Sequence, residues 1–286
     1  MTVLQLLANG LMAGAVLALP ALGFNTIYAV LRFPNFALGG LATVGAYAGW
    51  VANVGWAWPI APSLFAAFVA AGAIGMVCDA IALARLRASG PLTAAIGSVA
   101  LGVVLDNATR FAWGNDLRNY DLPLARDLDF AVLHVGPQSL IDAGWALAVM
   151  VVLLAVLRLT RLGRSMRAVA ENPRLAELKG VDPVLMGRVA ACAGSGLAGL
   201  GGMLLAMDTG VDPLLGGRLV LSAFAAAVAG GLGSIAGAVV GAMLIGVGEE
   251  ASTLLLDPAY RTAVGFVVIL FVLSLRPGGL LGERPI

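Results

Sequence analysis

The sequence predicts an all-α fold, a polytopic transmembrane bundle of about eight to nine spans. Three observations predict it. Of 286 residues, 60% are apolar and 12% charged, against roughly 25% charged in a soluble domain. The sixteen acidic and seventeen basic residues gather in a few short stretches, with almost none in the runs between them. Arginine recurs where those runs end. Lipid is therefore the solvent for most of the surface, because a soluble bundle of this size needs a polar skin that these runs do not supply.

A transmembrane helix takes about 20 apolar residues. The candidate spans, in order, are Val3–Val30, Phe36–Val54, Ala61–Ala84, Leu92–Trp113, Leu140–Leu157, Val189–Met207, Leu219–Gly231, Ile235–Leu256 and Thr262–Leu275. The first lacks the positive flank of a cleaved signal and reads as a retained helix, tilted or broken at Pro20. Leu219–Gly231 is short for a crossing and reads as a half-helix ending at the turn Gly230-Gly231-Leu232-Gly233-Ser234.

Orientation follows from the arginines. Arg85 and Arg87 end the third span, Arg158–Arg188 is the most basic loop, and Arg276 and Arg284 follow the last span. The positive-inside rule puts all three groups in the cytoplasm. Counting crossings back places the N-terminus and the loop Gly114–Pro137, with Asp116, Asp121, Asp127 and Asp129, on the outer side. Trp50, Trp56 and Trp58 mark the outer interface.

Charges at membrane depth are costly and face the protein interior. Asp106 and Arg110, spaced i,i+4 in the outer part of the fourth span, form either a helix-anchoring ion pair or part of a polar vestibule. Glu249 and Glu250 lie in the outer half of the eighth span, and only one of two adjacent positions faces a pathway. Asp79, about six residues before Arg85, is expected to pair towards the cytoplasmic side. The spaced glycines, among them Gly10, Gly14, Gly194, Gly199, Gly237 and Gly241, allow close helix packing, and sequence does not separate this from helix sliding. Phe36–Gly49 and Val228–Gly241 share Gly-Gly-Leu before a small-residue helix, a weak hint of duplication. Cys78 and Cys192 read as apolar fillers.

Several function classes are excluded. A net charge of +1 argues against a nucleic-acid partner. No phosphate-binding G-x-x-x-x-G-K-[ST] occurs, and Lys179 is the lone lysine. A single histidine, His134, cannot build a zinc-protease site. No catalytic residues are assigned, no metal or cofactor is expected to bind, and an enzyme lacks any acid, base or metal constellation.

Four stretches now carry a resemblance that runs nearly end to end. They are Gly10–Gly49, with Ala18-Leu19-Pro20-Ala21-Leu22-Gly23 and Asn35-Phe36-Ala37; Gly163–Gly180 (GRSMRAVAENPRLAELKG) followed by Val181; Phe224–Gly241, ending GGLGSIAGAVVG; and Leu275–Gly282, LRPGGLLG. The chain resembles permease subunits of branched-chain amino acid ABC transporters. It departs from that pattern at Leu38 and Gly40, where the family usually carries His and an acid. The resemblance implies one permease domain over residues 1–286 in a bacterial inner membrane, an importer of ABC type moving a small solute such as a branched-chain amino acid, another amino acid or a related amide. It also implies a second homologous permease, two cytoplasmic ATPases that use ATP, and a periplasmic solute-binding protein. An ion-coupled transporter or channel is the alternative, and would need charges around broken helices at mid-depth.

Within the basic loop, Asn172 is a good N-cap, Pro173 suits N1 and Gly180 suits C′. Between them lies a helix of about two turns with Leu175, Ala176 and Leu178. Such a helix packs either on its own subunit or in an ATPase groove, and the resemblance favours the groove. The expected coupling residues are Arg164, Arg167, Glu171, Pro173, Leu175, Ala176, Glu177 and Gly180, and the expected pathway residues are Asp106, Arg110, Glu249 and Asn35.

Overall fold

The computed structural model describes residues 3–122, 128–130, 133–254, 257 and 261–282. Its helices in chain order are α1 (Val3–Leu31), α2 (Leu38–Trp50), α3 (Ile60–Cys78), α4 (Ala84–Arg87), α5 (Pro91–Trp113), α6 (Pro137–Leu159), α7 (Arg161–Glu171), α8 (Pro173–Leu178), α9 (Pro183–Thr209), α10 (Leu215–Gly230), α11 (Ile235–Ser252) and α12 (Arg261–Leu275). Single π-helical segments extend α2 over Val51–Gly55 and join α3 to α4 over Asp79–Leu83. A short antiparallel hairpin, β1 (Leu128–Phe130) with β2 (Leu133–Val135), interrupts the loop before α6.

Six helical stretches among the described residues are long and apolar enough to cross a bilayer, and Leu215–Gly230 and Ala263–Leu275 are shorter apolar helices. The protein is thus a multi-pass helical membrane bundle, and the expected eight to nine spans are an approximate count. The expected span boundaries shift by a few residues, because proline sets several starts. Pro91, Pro137, Pro173 and Pro183 each open a helix at a first-turn position, where the missing N–H costs nothing. Side chains of Thr160, Asn172, Asp182 and Ser234 cap the following helices. As α9 begins at Pro183, Arg188 lies on a helix and not in the loop assigned to it.

Helices α1 and α9 form the centre. They pack on each other, α9 also on α2 and α3, and α1 on α11. Glycine permits these crossings: a Cβ on Gly199 would strike the α3 side of the crossing at Ala71, and one on Gly45 would enter the Gly199 backbone. Gly10 and Gly14 likewise face α11 backbone at Gly246–Val247 and Ala242–Met243. Packing therefore accounts for the spaced glycines. Helix α1 runs unbroken through Pro20, whose ring faces Gly201 of α9. The hinted duplication does not hold in form: Gly39-Gly40-Leu41 lies inside α2, whereas Gly230-Gly231-Leu232 ends α10, with Gly231 at φ +112°.

Basic groups share one end of the bundle. Arg87 bonds to Asp79 and stands 5.5 Å from the Phe33 ring, while Arg32 donates to the carbonyl of Ala170 in α7. The α10–α11 turn is at this end. Buried Asn25 of α1 donates to the carbonyls of Gly231 (3.1 Å) and Ser234 (2.8 Å), and the N–H groups of Leu280 and Leu281 reach Ala229 and Gly230 at 2.9 Å. The opposite end carries the loop after α5, tied to the end of α9 by a bridge between Arg118 and Val211.

Candidate coupling surface and translocation face

Helix α8 forms as its sequence dictates. The Asn172 carboxamide oxygen accepts from the Leu175 N–H at 3.1 Å. At the other end the N–H of Val181 reaches the carbonyl of Ala176 (3.0 Å) and that of Gly180 reaches Glu177 (2.9 Å). These are the paired bonds of a Schellman motif, with Gly180 at φ +82°. One expectation changes: Ala176 is 4% exposed and packs with Leu157, Met166, Val169, Met186 and Ala190. It faces its own subunit. Leu175 at 54% and Leu178 at 84% exposure are the apolar side chains that α8 presents outward.

Helix α7 holds that unit in place. Met166 and Val169 are buried, with Gly163 against the Leu157 backbone, and the outer face carries Arg161, Arg164 and Glu171. Arg167 donates to the carbonyl of Leu157 at the end of α6. Its head is therefore a clasp between α6 and α7, while Arg164, Glu171, Pro173 and Glu177 stay exposed beside the two leucines.

A second arrangement lies between α2, α5 and α10. Asp106 accepts from the Thr43 hydroxyl at 3.4 Å, and Thr43 in turn accepts from the Gly216 N–H at 3.1 Å. Among the described residues Asp106 and Arg110 form no ion pair, and Arg110 Nε is buried without a hydrogen-bond partner. The i,i+4 spacing brings the two close without joining them, because Asp106 is turned towards α2. Further towards the basic end, Phe24, Phe36 and Phe224 meet with ring centroids 5.2–6.0 Å apart. Asn35 is buried there, accepting from the Ala37 N–H at 3.1 Å, and the Phe36 N–H donates to Ser98 of α5. Leu38 and Gly40 sit in the same wall. Leu38 is buried, and a Cβ on Gly40 would meet the Gly102 carbonyl at 2.8 Å. Close contact of α2 with α5 is thus what Gly40 provides.

Glu249 does not join this face. It accepts from Ser222 at 2.6 Å, about a third of a turn around α10 from Gly216. It lines a separate cavity of about 470 Å³ between α1, α6, α9, α10 and α11, with Asp142, Asp208, Glu250 and Arg218. The sequence reading passed over Asp142 and Asp208, although Asp142 is the lone charge in Leu140–Leu157. Asp79 pairs with Arg87, not Arg85, since the π-segment turns the chain so that Arg85 reaches the Ile81 carbonyl instead. Trp50 donates to the Asn119 carbonyl at 3.0 Å, fixing the far-end loop.

A family described as branched-chain amino acid transport system, permease component, matches residues 6–273. The chain belongs to this family. It is 31% identical to the high-affinity branched-chain amino acid transport system permease protein LivH of Escherichia coli K12, covering 98% of this chain and 96% of that one. Its identity to the BraD permease of Pseudomonas aeruginosa is 30%, with the same coverage. A probable LivH permease of Methanocaldococcus jannaschii is 26% identical over 97% of this chain and 92% of that one. The protein is accordingly a permease subunit of an ABC importer, in a family that is not an enzyme class, and its helices make it multi-pass.

Proposed function

We propose that this permease moves a branched-chain or similar aliphatic amino acid across a bacterial inner membrane, without hydrolysing ATP itself. The observation that carries the reading is the match to branched-chain amino acid permeases along nearly the whole chain. A second homologous permease, two cytoplasmic ATPases that consume the ATP, and a periplasmic solute-binding protein complete the assembly. The basic end, with Arg87, α7, α8 and Arg276, is cytoplasmic, as the positive-inside rule requires. The loop 114–137 is then periplasmic. No metal or cofactor bound to this chain enters the reading.

Helix α8 is the coupling element in this proposal. Its exposed Leu175 and Leu178, flanked by Arg164, Glu171, Arg174 and Glu177, are an apolar knob with a charged rim, which fits a groove on a partner. The α2–α5–α10 face, with Asp106, Arg110 and Asn35, is the route. Its aromatic cluster near the basic end closes it in an apolar constriction. The test is Leu178→Asp, a substitution at an 84% exposed site. Normal membrane abundance with loss of co-purifying ATPase supports coupling through α8. Retention of the ATPase with wild-type solute-stimulated hydrolysis removes that role.

A further inference from the structure

The cavity between α1, α6, α9, α10 and α11 holds a feature that packing does not explain. Asp142 is 2% exposed, its Oδ1 accepts from Gln138 at 2.8 Å, and its Oδ2 is buried with no hydrogen-bond partner among the described residues. A buried acceptor without a donor is costly, most of all on a carboxylate, so this oxygen marks where a donor from outside the chain belongs. Asp208 lines the same space and accepts from Ser139 at 3.4 Å. Glu249 and Glu250 also line it, accepting from Ser222 (2.6 Å) and Asn9 (3.3 Å). The remaining walls are aliphatic, including Met12, Val16, Leu17, Leu204 and Leu219. Arg218 is the cation among the lining residues, fixed by Asp212.

We infer that this cavity is a binding site for an aliphatic zwitterion, its ammonium group on Asp142 and Asp208, its carboxylate towards Arg218 and its alkyl chain against the apolar wall. An ammonium group brings three N–H donors and a positive charge, the complement of the open Asp142 acceptor and the Asp208 carboxylate beside it. Among the described residues no three His, Cys, Asp or Glu side chains gather closely enough to ligate a metal, and a bare cation would leave the aliphatic wall unused. A volume of about 470 Å³ falls in the usual range for small-molecule sites. The site lies within one subunit, on the half of the bundle away from the basic end, where α6 begins and α9 ends. The inference rests on the amino-acid transport reading and adds to it a solute site apart from the α2–α5–α10 route, one that recognises the ammonium group.

The test uses the assembled membrane complex in nanodiscs, washed free of solute-binding protein. Calorimetry would measure binding of L-leucine, of isoamylamine, which keeps the ammonium and lacks the carboxylate, of 4-methylpentanoate, which does the reverse, and of sodium chloride. L-Leucine and isoamylamine are expected to bind and 4-methylpentanoate is not. Asp142→Asn keeps the Gln138 bond, and it is expected to weaken both amines at least tenfold. Asp208→Asn, at an exposed and structurally safe position, does the same in lesser degree. Equal binding of 4-methylpentanoate, saturable sodium binding that excludes the amines, or wild-type amine affinity in both variants overturns the site. ATP-driven leucine uptake is read in parallel. Uptake with unchanged amine binding in both variants defeats this inference alone. Amine binding through Asp142 without leucine uptake defeats the transport reading alone.

Discussion

Asp79 is buried on the π-segment after α3, and its partner Arg87 leans on the Phe33 ring. Removing one member strands a charge out of water, which typically costs about 3–5 kcal/mol, whereas removing both need not. Asp79→Asn is therefore expected to lower membrane abundance sharply and Asp79→Asn with Arg87→Gln to restore much of it, read by blotting membranes of equal total protein. Asp106 and Arg110 should behave otherwise. With no ion pair between them, the double variant Asp106→Asn with Arg110→Gln is expected to be no better in uptake than the poorer single. A double variant better than either single would restore the pair. The sequence placed Asp106 and Arg110 together by helical spacing and named no definite partner for Asp79. The partner of Asp79 was not legible because one π-turn rotates every later side chain, and the contact made by Asp106 was not because Thr43 arrives from another helix.

Helix α8 shows the same division at the level of an element. Its start, its stop and its length were legible, since Asn172, Pro173 and Gly180 each satisfy a local backbone need that no distant contact alters. Which of its faces points outward was not legible, because that depends on α7 and α9 covering Ala176. Two predictions follow from the face. Ala176→Asp puts a charge into the subunit's own interior, so it should reduce folded permease, while Leu178→Asp should spare the permease and release the ATPase. Gly180→Ala forces a Cβ into left-handed backbone, which costs roughly 1–2 kcal/mol; nothing else lies within 4 Å of that position. A modest fall in the melting temperature of the purified complex, with pairing intact, is the expected result. Orientation is tested by single cysteines at Ser165 and Asn119, in a background without Cys78 and Cys192. An impermeant thiol reagent on intact cells should label position 119 and spare 165.

For the molecule as a whole, the apolar runs dictated the helical class and most helix positions, because in lipid every backbone polar group must be satisfied within its own segment. The assembly of those helices into sites was another matter. Asp142 is a lone acid in an apolar run that went unremarked in the sequence, and only the packing of five helices puts it in one cavity with Asp208, Glu249 and Arg218. The aromatic cluster of Phe24, Phe36 and Phe224 likewise joins three distant stretches. The central claim is that this chain is the membrane path of an ATP-driven amino-acid importer. It is tested most directly by reconstituting the chain with the proposed partner permease, ATPases and solute-binding protein in liposomes and measuring uptake of radiolabelled L-leucine. Uptake that requires ATP and the binding protein, and that survives collapse of sodium and proton gradients, is the predicted result. Uptake that continues without ATP and stops when an ion gradient is collapsed would contradict it.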